Sequence, residues 1–292
     1  MLFRSGWHQS DDRAINTLPL NSTAREGVAN GTLNANLYRQ YPGYSGINQE
    51  ETTTNFAYNS LQAGLRMEAR HGLTLGLSYT YSHEIDEVSG DLNGISNPFN
   101  VRYDRGSGSL DRRHDFNANY VYDLLRGYSH SANPLERIAL GGWTYSGIVV
   151  AETGVPQPLG FGNDTLGLGG GTTNRPDLVG SVSYPKTRLK WFNTAAFAAP
   201  LAPWAGGTNE GFGTAPKDAV RLPGQLNFNM SLFKTITFKA EGPSLQLRFE
   251  SFNTFNHTQF NGFDSGFTDS NFGQITSAYD GRRLQLGGKF SF

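Results

Sequence analysis

Gln285-Leu286-Gly287-Gly288-Lys289-Phe290-Ser291-Phe292 ends the chain, and its alternation decides how the rest is read. Side chains of an extended strand point to opposite faces with period two. Leu284, Leu286, Gly288, Phe290 and Phe292 therefore share one face. Arg283, Gln285, Gly287, Lys289 and Ser291 share the other. A strand that is apolar on one side and charged on the other suits a wall between hydrocarbon and water. An edge strand of a soluble sheet can carry the same octapeptide, so the remaining sequence must discriminate.

The same period recurs upstream. Leu61, Ala63, Leu65, Met67 and Ala69 alternate with Gln62, Gly64, Arg66, Glu68 and Arg70. After His71-Gly72, Leu73, Leu75, Leu77, Tyr79 and Tyr81 alternate with Thr74, Gly76, Ser78, Thr80 and Ser82. Two such runs around a two-residue Gly-containing turn are a hairpin. Further runs start at Phe116, Leu226 and Leu245. The stretch from Trp143 to Thr153 is strand-like with ambiguous faces. Placing Trp143, Tyr145, Val149 and Ala151 on the apolar side turns Glu152 to the polar one. No window sustains a helical apolar pattern over three turns, and Asn133–Ile138 offers one short turn at most. The expectation is an all-β chain with long loops.

Composition removes several classes. The 292 residues carry a net charge of −1, which gives no electrostatic footprint for nucleic acid. Cysteine is absent, so disulfides and thiolate ligands are excluded. No apolar run approaches the roughly 18 residues of a membrane helix. The negative mean hydropathy leaves a membrane barrel open, because its wall needs apolar side chains only at alternate positions.

Loop lengths then discriminate. Numbering the strands back from the C-terminus puts the connections at 71–72, 125–139 and 238–244 on the side of Phe292. Those at 9–52, 87–112, 154–223 and 257–274 fall on the opposite side. All short connections share one side and all long ones the other, as in transmembrane barrels. About eight strands result, and residues 1–7 become the tail of a truncated first strand. Tyr79 and Tyr81 lie near the long-loop end of their strand, and Trp143, Tyr145, Phe290 and Phe292 near the short-turn end. Amphipathic rings prefer the two membrane interfaces. Lys234 breaks the apolar face, and its stem is expected to snorkel to headgroups.

The terminal pattern of Gln285, Gly287, Phe290 and Phe292 resembles the signal by which outer-membrane barrels are recognised by their assembly machinery. Other stretches, in order, are Tyr41-Pro42-Gly43-Tyr44-Ser45-Gly46, Tyr58-Asn59-Ser60-Leu61-Gln62, Asp111-Arg112-Arg113-His114-Asp115-Phe116 and Gly141-Gly142-Trp143. Asn174-Arg175-Pro176, Trp191-Phe192-Asn193, Phe249-Glu250-Ser251-Phe252-Asn253 and Phe272-Gly273-Gln274-Ile275 follow. The set resembles the C-terminal barrel of Oar-like TonB-dependent outer-membrane transporters. The resemblance implies the cell outer membrane, a transmembrane antiparallel β-barrel and uptake or export of a large solute. Its partners would be outer-membrane lipids, the barrel-assembly machinery and an unknown solute, with the TonB complex engaged only through an N-terminal part. Residues 1–292 would then be the C-terminal portion of one larger barrel domain. Plug, TonB segment and signal peptide are not among them, since Met1-Leu2-Phe3-Arg4-Ser5-Gly6 leads into polar sequence. The alternative is a stand-alone eight-stranded barrel with a structural or adhesion role. A soluble carbohydrate-binding module or enzyme is a third reading, and it would need a catalytic carboxylate cluster that the sequence does not display.

Candidate functional residues are few. Arg66, Glu68, Arg70, Arg248, Glu250 and Lys289 are expected to face the lumen, paired or solvated. Asp111–Asp115 gathers charge, but His114 lacks a second His at ligand spacing. The six histidines are scattered, and no catalytic, cofactor or metal set is expected, nor an enzyme. Gly167–Thr172 lacks the Lys-Ser or Lys-Thr of a phosphate loop and reads as a flexible loop tip. The 154–223 loop holds Trp191, Phe192, Phe197, Trp204 and Phe212. Trp191, Phe192 and Trp204 are candidate contacts for a solute, the other reading being that these rings pack on one another.

Overall fold

The alternating runs form strands because each offers one face to an apolar phase and one to a polar phase. The computed structural model describes residues 1–292 apart from 91–92, 239–241 and the side chains at 69–70. Eight long strands make the wall. They are β1 (Leu2–Ala14), β2 (Asn48–Arg70), β3 (Leu73–Asp86), β4 (His114–Leu124), β5 (Trp143–Glu152), β6 (Gln225–Thr237), β7 (Ser244–Phe252) and β8 (Arg283–Ser291). Each pairs antiparallel with its sequence neighbour, from β1 to β8 in order. The β2–β3 turn has positive φ at both His71 (51°) and Gly72 (83°), the combination that the type I′ hairpin turn requires.

The register assigns the faces. One row runs Leu77, Ala118, Val149, Phe228 and the next runs Leu75, Tyr120, Gly147, Met230, Ser251, Leu284. A third runs Leu73, Tyr122, Tyr145, Leu232, Phe249, Leu286. Apolar side chains thus fall on one face across six strands, and Trp143, Tyr145, Val149 and Ala151 lie on it as expected. The interleaved rows are polar: Gly76, Asn119, Ile148, Asn229 and then Thr74, Val121, Ser146, Ser231, Glu250, Gln285. Val121 and Ile148 are apolar exceptions on the polar face.

The rows also give the strand tilt. The apolar band on β3 centres on Leu77, whose row meets β6 at Phe228. The band on β8 centres on Gly288, whose row meets β6 at Lys234. The band therefore slips about six residues over five strand steps. At about 3.3 Å per residue and about 4.8 Å between strands, that is a tilt of about 40°, which is the tilt of membrane barrels. Carried to the other edge, the same slip places Leu2, opposite Leu61 and hence level with Tyr81, just above the middle of the band. β1 crosses only its outer half.

Hardly any core lies in the wall. The buried apolar residues fall almost wholly in the long connections, and Ala118 is the exception near mid-wall. On the apolar face Leu65, Leu247, Leu284, Leu286 and Phe290 stand exposed, Leu286 at 80%. At about 25 cal/mol per Å² of apolar area, such a face has to be covered, and among the described residues no protein layer covers it.

Three expectations are corrected. The long connections run 15–47, 87–113, 153–224 and 253–282, because the strands continue beyond the apolar band, and the last contains a hairpin of Phe260–Phe263 with Ile275–Ala278. Gly167–Thr172 is not a free tip: Leu168 is buried against Leu18, and Leu18 N–H donates to its carbonyl. Lys234 does not reach for headgroups. Its ammonium donates to the carbonyls of Gly141 and Ala139, capping the helix Pro134–Ala139 on the short-turn side. A cation at a helix C-terminus satisfies orphan carbonyls.

Leu247→Arg puts a charge on the apolar face and should cost about 2–4 kcal/mol in liposome-embedded protein, depending on depth. Gln246→Arg, one residue away on the polar face, should cost less than about 1 kcal/mol. Urea titration of both variants checks the assignment, and equal losses would mean that the faces are exchanged.

Candidate functional site at the polar face and the loop cap

Two regions carry polar chemistry: the polar face of the wall and the layer of long connections above it. The wall residues lie where the alternation put them. Arg66 stands opposite Gly76 and pairs with Glu68 at 2.8 Å, both well exposed. Arg248 lies opposite Phe233, its guanidinium 5.5 Å from the ring centre, and Nε donates to Gln246 at 2.7 Å. Glu250 is opposite Ser231 and Gln285, and Lys289 is opposite Gln246. The side chain of Arg70 lies outside the described residues. Register separates these charges into two groups, on β2 and on β7–β8, at opposite ends of the sheet, so they form no single site. Within the terminal pattern, Gln285 and Gly287 take the polar face and Phe290 and Phe292 the apolar one, the two rings 6.3 Å apart.

The long connections pack into a cap with its own core. Leu159, Trp191, Phe192, Phe197 and Val220 of connection 153–224 pack with Phe263, Phe267 and Phe272 of 253–282. Phe192 meets Phe197, Phe263 and Phe272 edge-on at 5.3–5.7 Å. A second cluster joins Leu18 and Ala24 to Leu166, Leu168 and Phe212. Trp191 and Phe192 are therefore not solute contacts: both are buried, and the Trp191 indole N–H is used by the Arg221 carbonyl at 2.8 Å. The rings pack on each other because a connection of this length can bury apolar area only within itself or against its neighbours. Trp204 alone of the three stays accessible, at 37%.

Buried cations pin the connections together. Arg25 is 3% exposed and donates to the carbonyls of Leu166 (2.7 Å), Leu20 (2.8 Å) and Glu210 (2.7 Å) and to the Glu210 carboxylate (2.9 Å). Arg175 pairs with Asp104 at 2.8 Å and lies 3.8 Å over the Tyr103 ring. Burial pushes the Tyr103 hydroxyl above its ordinary value, with the Arg175 charge opposing.

Where the cap meets the wall, charges concentrate. Glu84 and Asp86 project from the polar face of β3, three and five residues beyond Tyr81 and so outside the apolar band. Lys217 pairs with Asp86, and Arg221 pairs with Asp111. Asp111 also accepts from the Glu84 backbone N–H at 2.8 Å, contacts His83 Nδ1 at 3.2 Å and pairs with Arg113 at 3.2 Å. Burial works against ionisation of Asp111, but the donors from Arg221, Glu84 and His83 outweigh it and hold the carboxyl below its usual range. The sequence displayed only Asp111–Asp115. Lys217 reaches Asp86 and Arg221 reaches Asp111 across more than a hundred residues, and nothing local marks them. Among the described residues, no group of three or more His, Asp or Glu side chains is arranged to hold a metal.

Arg25→Met should detach the cap without dissolving the wall. It strands buried carbonyls and an acidic partner, at a cost of about 3–5 kcal/mol confined to connections 15–47 and 153–224. Hydrogen exchange should speed up in those segments while β3–β7 amides stay protected; uniform acceleration would contradict a separately cored cap.

No curated protein and no solved structure matches the chain. The family described as outer membrane beta barrel domain matches residues 4–285, nearly the whole length. The unsheltered apolar face, the tilt of about 40° and the segregated loops are general features of transmembrane β-barrels. The chain belongs to the outer-membrane β-barrel domain family and resides in the cell outer membrane.

Proposed function

We propose that residues 1–292 form the C-terminal part of the barrel of a TonB-dependent transporter that moves a large solute across the outer membrane. The observation that carries this reading is the open edge of β2. Gln62 exchanges its backbone hydrogen bonds with Met1, so Gly64, Arg66 and Glu68 direct theirs the same way, past the end of β1. In hydrocarbon each unpaired group costs several kcal/mol, which supports a reading in which further strands complete the wall there. A wall of more than eight strands is wide enough for a plug and a large solute, whereas eight strands close on an interior just filled by side chains. In this reading the polar face supplies a hydrated wall, and the cap would lie across the mouth that a solute enters. A plug and a TonB-engaging segment would lie ahead of residue 1.

The competing reading is a stand-alone eight-stranded barrel, in which β1 and β8 pair. Because the chain has no cysteine, engineered pairs can be scored without background. Cysteines scanned over Leu2–Gly6 against Arg283–Gln285 should not cross-link in cells under the wide-barrel reading. Efficient cross-linking at one register would establish the small barrel instead.

Phe292→Ser should abolish outer-membrane insertion of the full-length protein, because the terminal strand then loses the aromatic of its assembly pattern. Membrane fractionation and heat-modifiable gel mobility read the outcome, and normal insertion would remove the role assigned to Phe292.

A further inference from the structure

Beside the Lys217–Asp86 and Arg221–Asp111 pairs, the junction of cap and wall buries a further carboxyl, Glu84. Asp86 is fully buried; its Oδ1 is taken by Lys217, but its Oδ2 has no hydrogen-bond partner. Glu84, two residues away on the same face, is also buried. Both oxygens crowd the same point: a Cβ at Gly108 would collide with Glu84 Oε1 and Asp86 Oδ2. Gly108 therefore roofs a small polar chamber only in the sense that its missing side chain leaves room for an unsatisfied acceptor and a second carboxyl close together. A buried acceptor without a donor is destabilising, and two ionised carboxyls there are more so.

The charged and titratable groups around the chamber come from every element that closes it. Tyr58 of β2 stands opposite Glu84. Asp111, Arg113 and His83 flank it in the network already described. From connection 153–224 come Lys217, Arg221 and Asp218, the last accepting from Ser107 N–H at 2.9 Å. Lys217 is committed to Asp86 and Arg221 to Asp111, which leaves Glu84 with no cation of its own among the described residues.

We propose that Glu84 and Asp86 form a proton-binding site, with the Glu84 carboxyl donating to Asp86 Oδ2, and that this proton latches connection 153–224 onto the wall. When the proton leaves, Glu84 is ionised beside Asp86 and Asp111, while Lys217, Arg221 and Arg113 are all committed to those two aspartates. The surplus charge is relieved by admitting water, which means lifting Lys217 and the Gly108 roof. Burial first, then the charges of Asp86 and Asp111, push the Glu84 carboxyl from 4.5 up to about 7, with Lys217 opposing. A carboxyl raised in the closed state binds more protons there than when solvated. The latch is therefore tightest in acid and weakens as pH rises through about 7. With an ordinary value in the open state, the closed-to-open ratio should fall about tenfold between about pH 6 and about pH 8.

The test uses the full-length protein in outer-membrane vesicles. Hydrogen exchange of residues 210–222, corrected for the intrinsic pH effect, should rise about tenfold between those two pH values. Glu84→Gln keeps a donor for Asp86 Oδ2 without a titratable proton and should make exchange of this segment flat and slow. Equal pH dependence in both proteins, or none in the native one, overturns the proposal. If the variant does not assemble, infrared titration of the native protein decides. A buried protonated-carboxyl band that vanishes with a midpoint near 7 supports the latch, and its absence at about pH 6 overturns it.

Discussion

A sheet whose apolar face is covered by none of the described residues is the constraint from which the rest of this structure follows. Leu65, Leu247, Leu286 and Phe290 lie bare on that face while the opposite face carries Arg248, Glu250 and Lys289. Lipid takes the place of the missing protein layer. In lipid every backbone group has to be paired within the wall, so neighbour-to-neighbour antiparallel pairing and a strand slip that tilts the wall follow together. The same constraint makes an edge conspicuous. Past Met1, opposite Gln62, the β2 edge has no partner strand among the described residues, and that edge supports the proposed reading of a barrel wider than eight strands.

The second consequence concerns the long connections. A wall bounded by lipid and water has no interior in which to build a core, so the core is built in the cap. The aromatic cluster around Phe192 and the cluster around Leu18 serve connections that would otherwise carry unsupported backbone. Arg25 and Arg175 each satisfy several carbonyls or a carboxylate at once, which is how a buried guanidinium offsets its desolvation. Cap and wall are thus stabilised by different physics: apolar packing and buried ion pairs above, hydrocarbon and a hydrogen-bond ladder below.

Their junction is electrostatic. Lys217 and Arg221 dock on Asp86 and Asp111, and the attachment is only as firm as the charge balance beneath it. Glu84 upsets that balance when ionised, so the protonation of one carboxyl is coupled to the position of a long segment over the mouth.

The sequence by itself determined the wall. Period two in side-chain direction is enforced by strand geometry, so Leu73 to Tyr81 and Leu284 to Phe292 declared their faces, and the segregation of loop lengths declared which end was which. It also determined that His71-Gly72 turns tightly, because positive φ at both positions favours such residues. Only the tertiary structure decided the cap. Whether Trp191 and Phe192 met solvent or each other depended on Phe263 and Phe272, some seventy to eighty residues away, and no local period encodes such a contact. Lys234 looked like a membrane snorkel until the chain placed the carbonyls of Ala139 and Gly141 over its ammonium. The Glu84–Asp86 chamber was hidden for the same reason: its roof at Gly108 and its cation at Lys217 arrive from two separate connections. Alternation is a local property and survives in the sequence, whereas burial and charge balance belong to residues brought together only by folding.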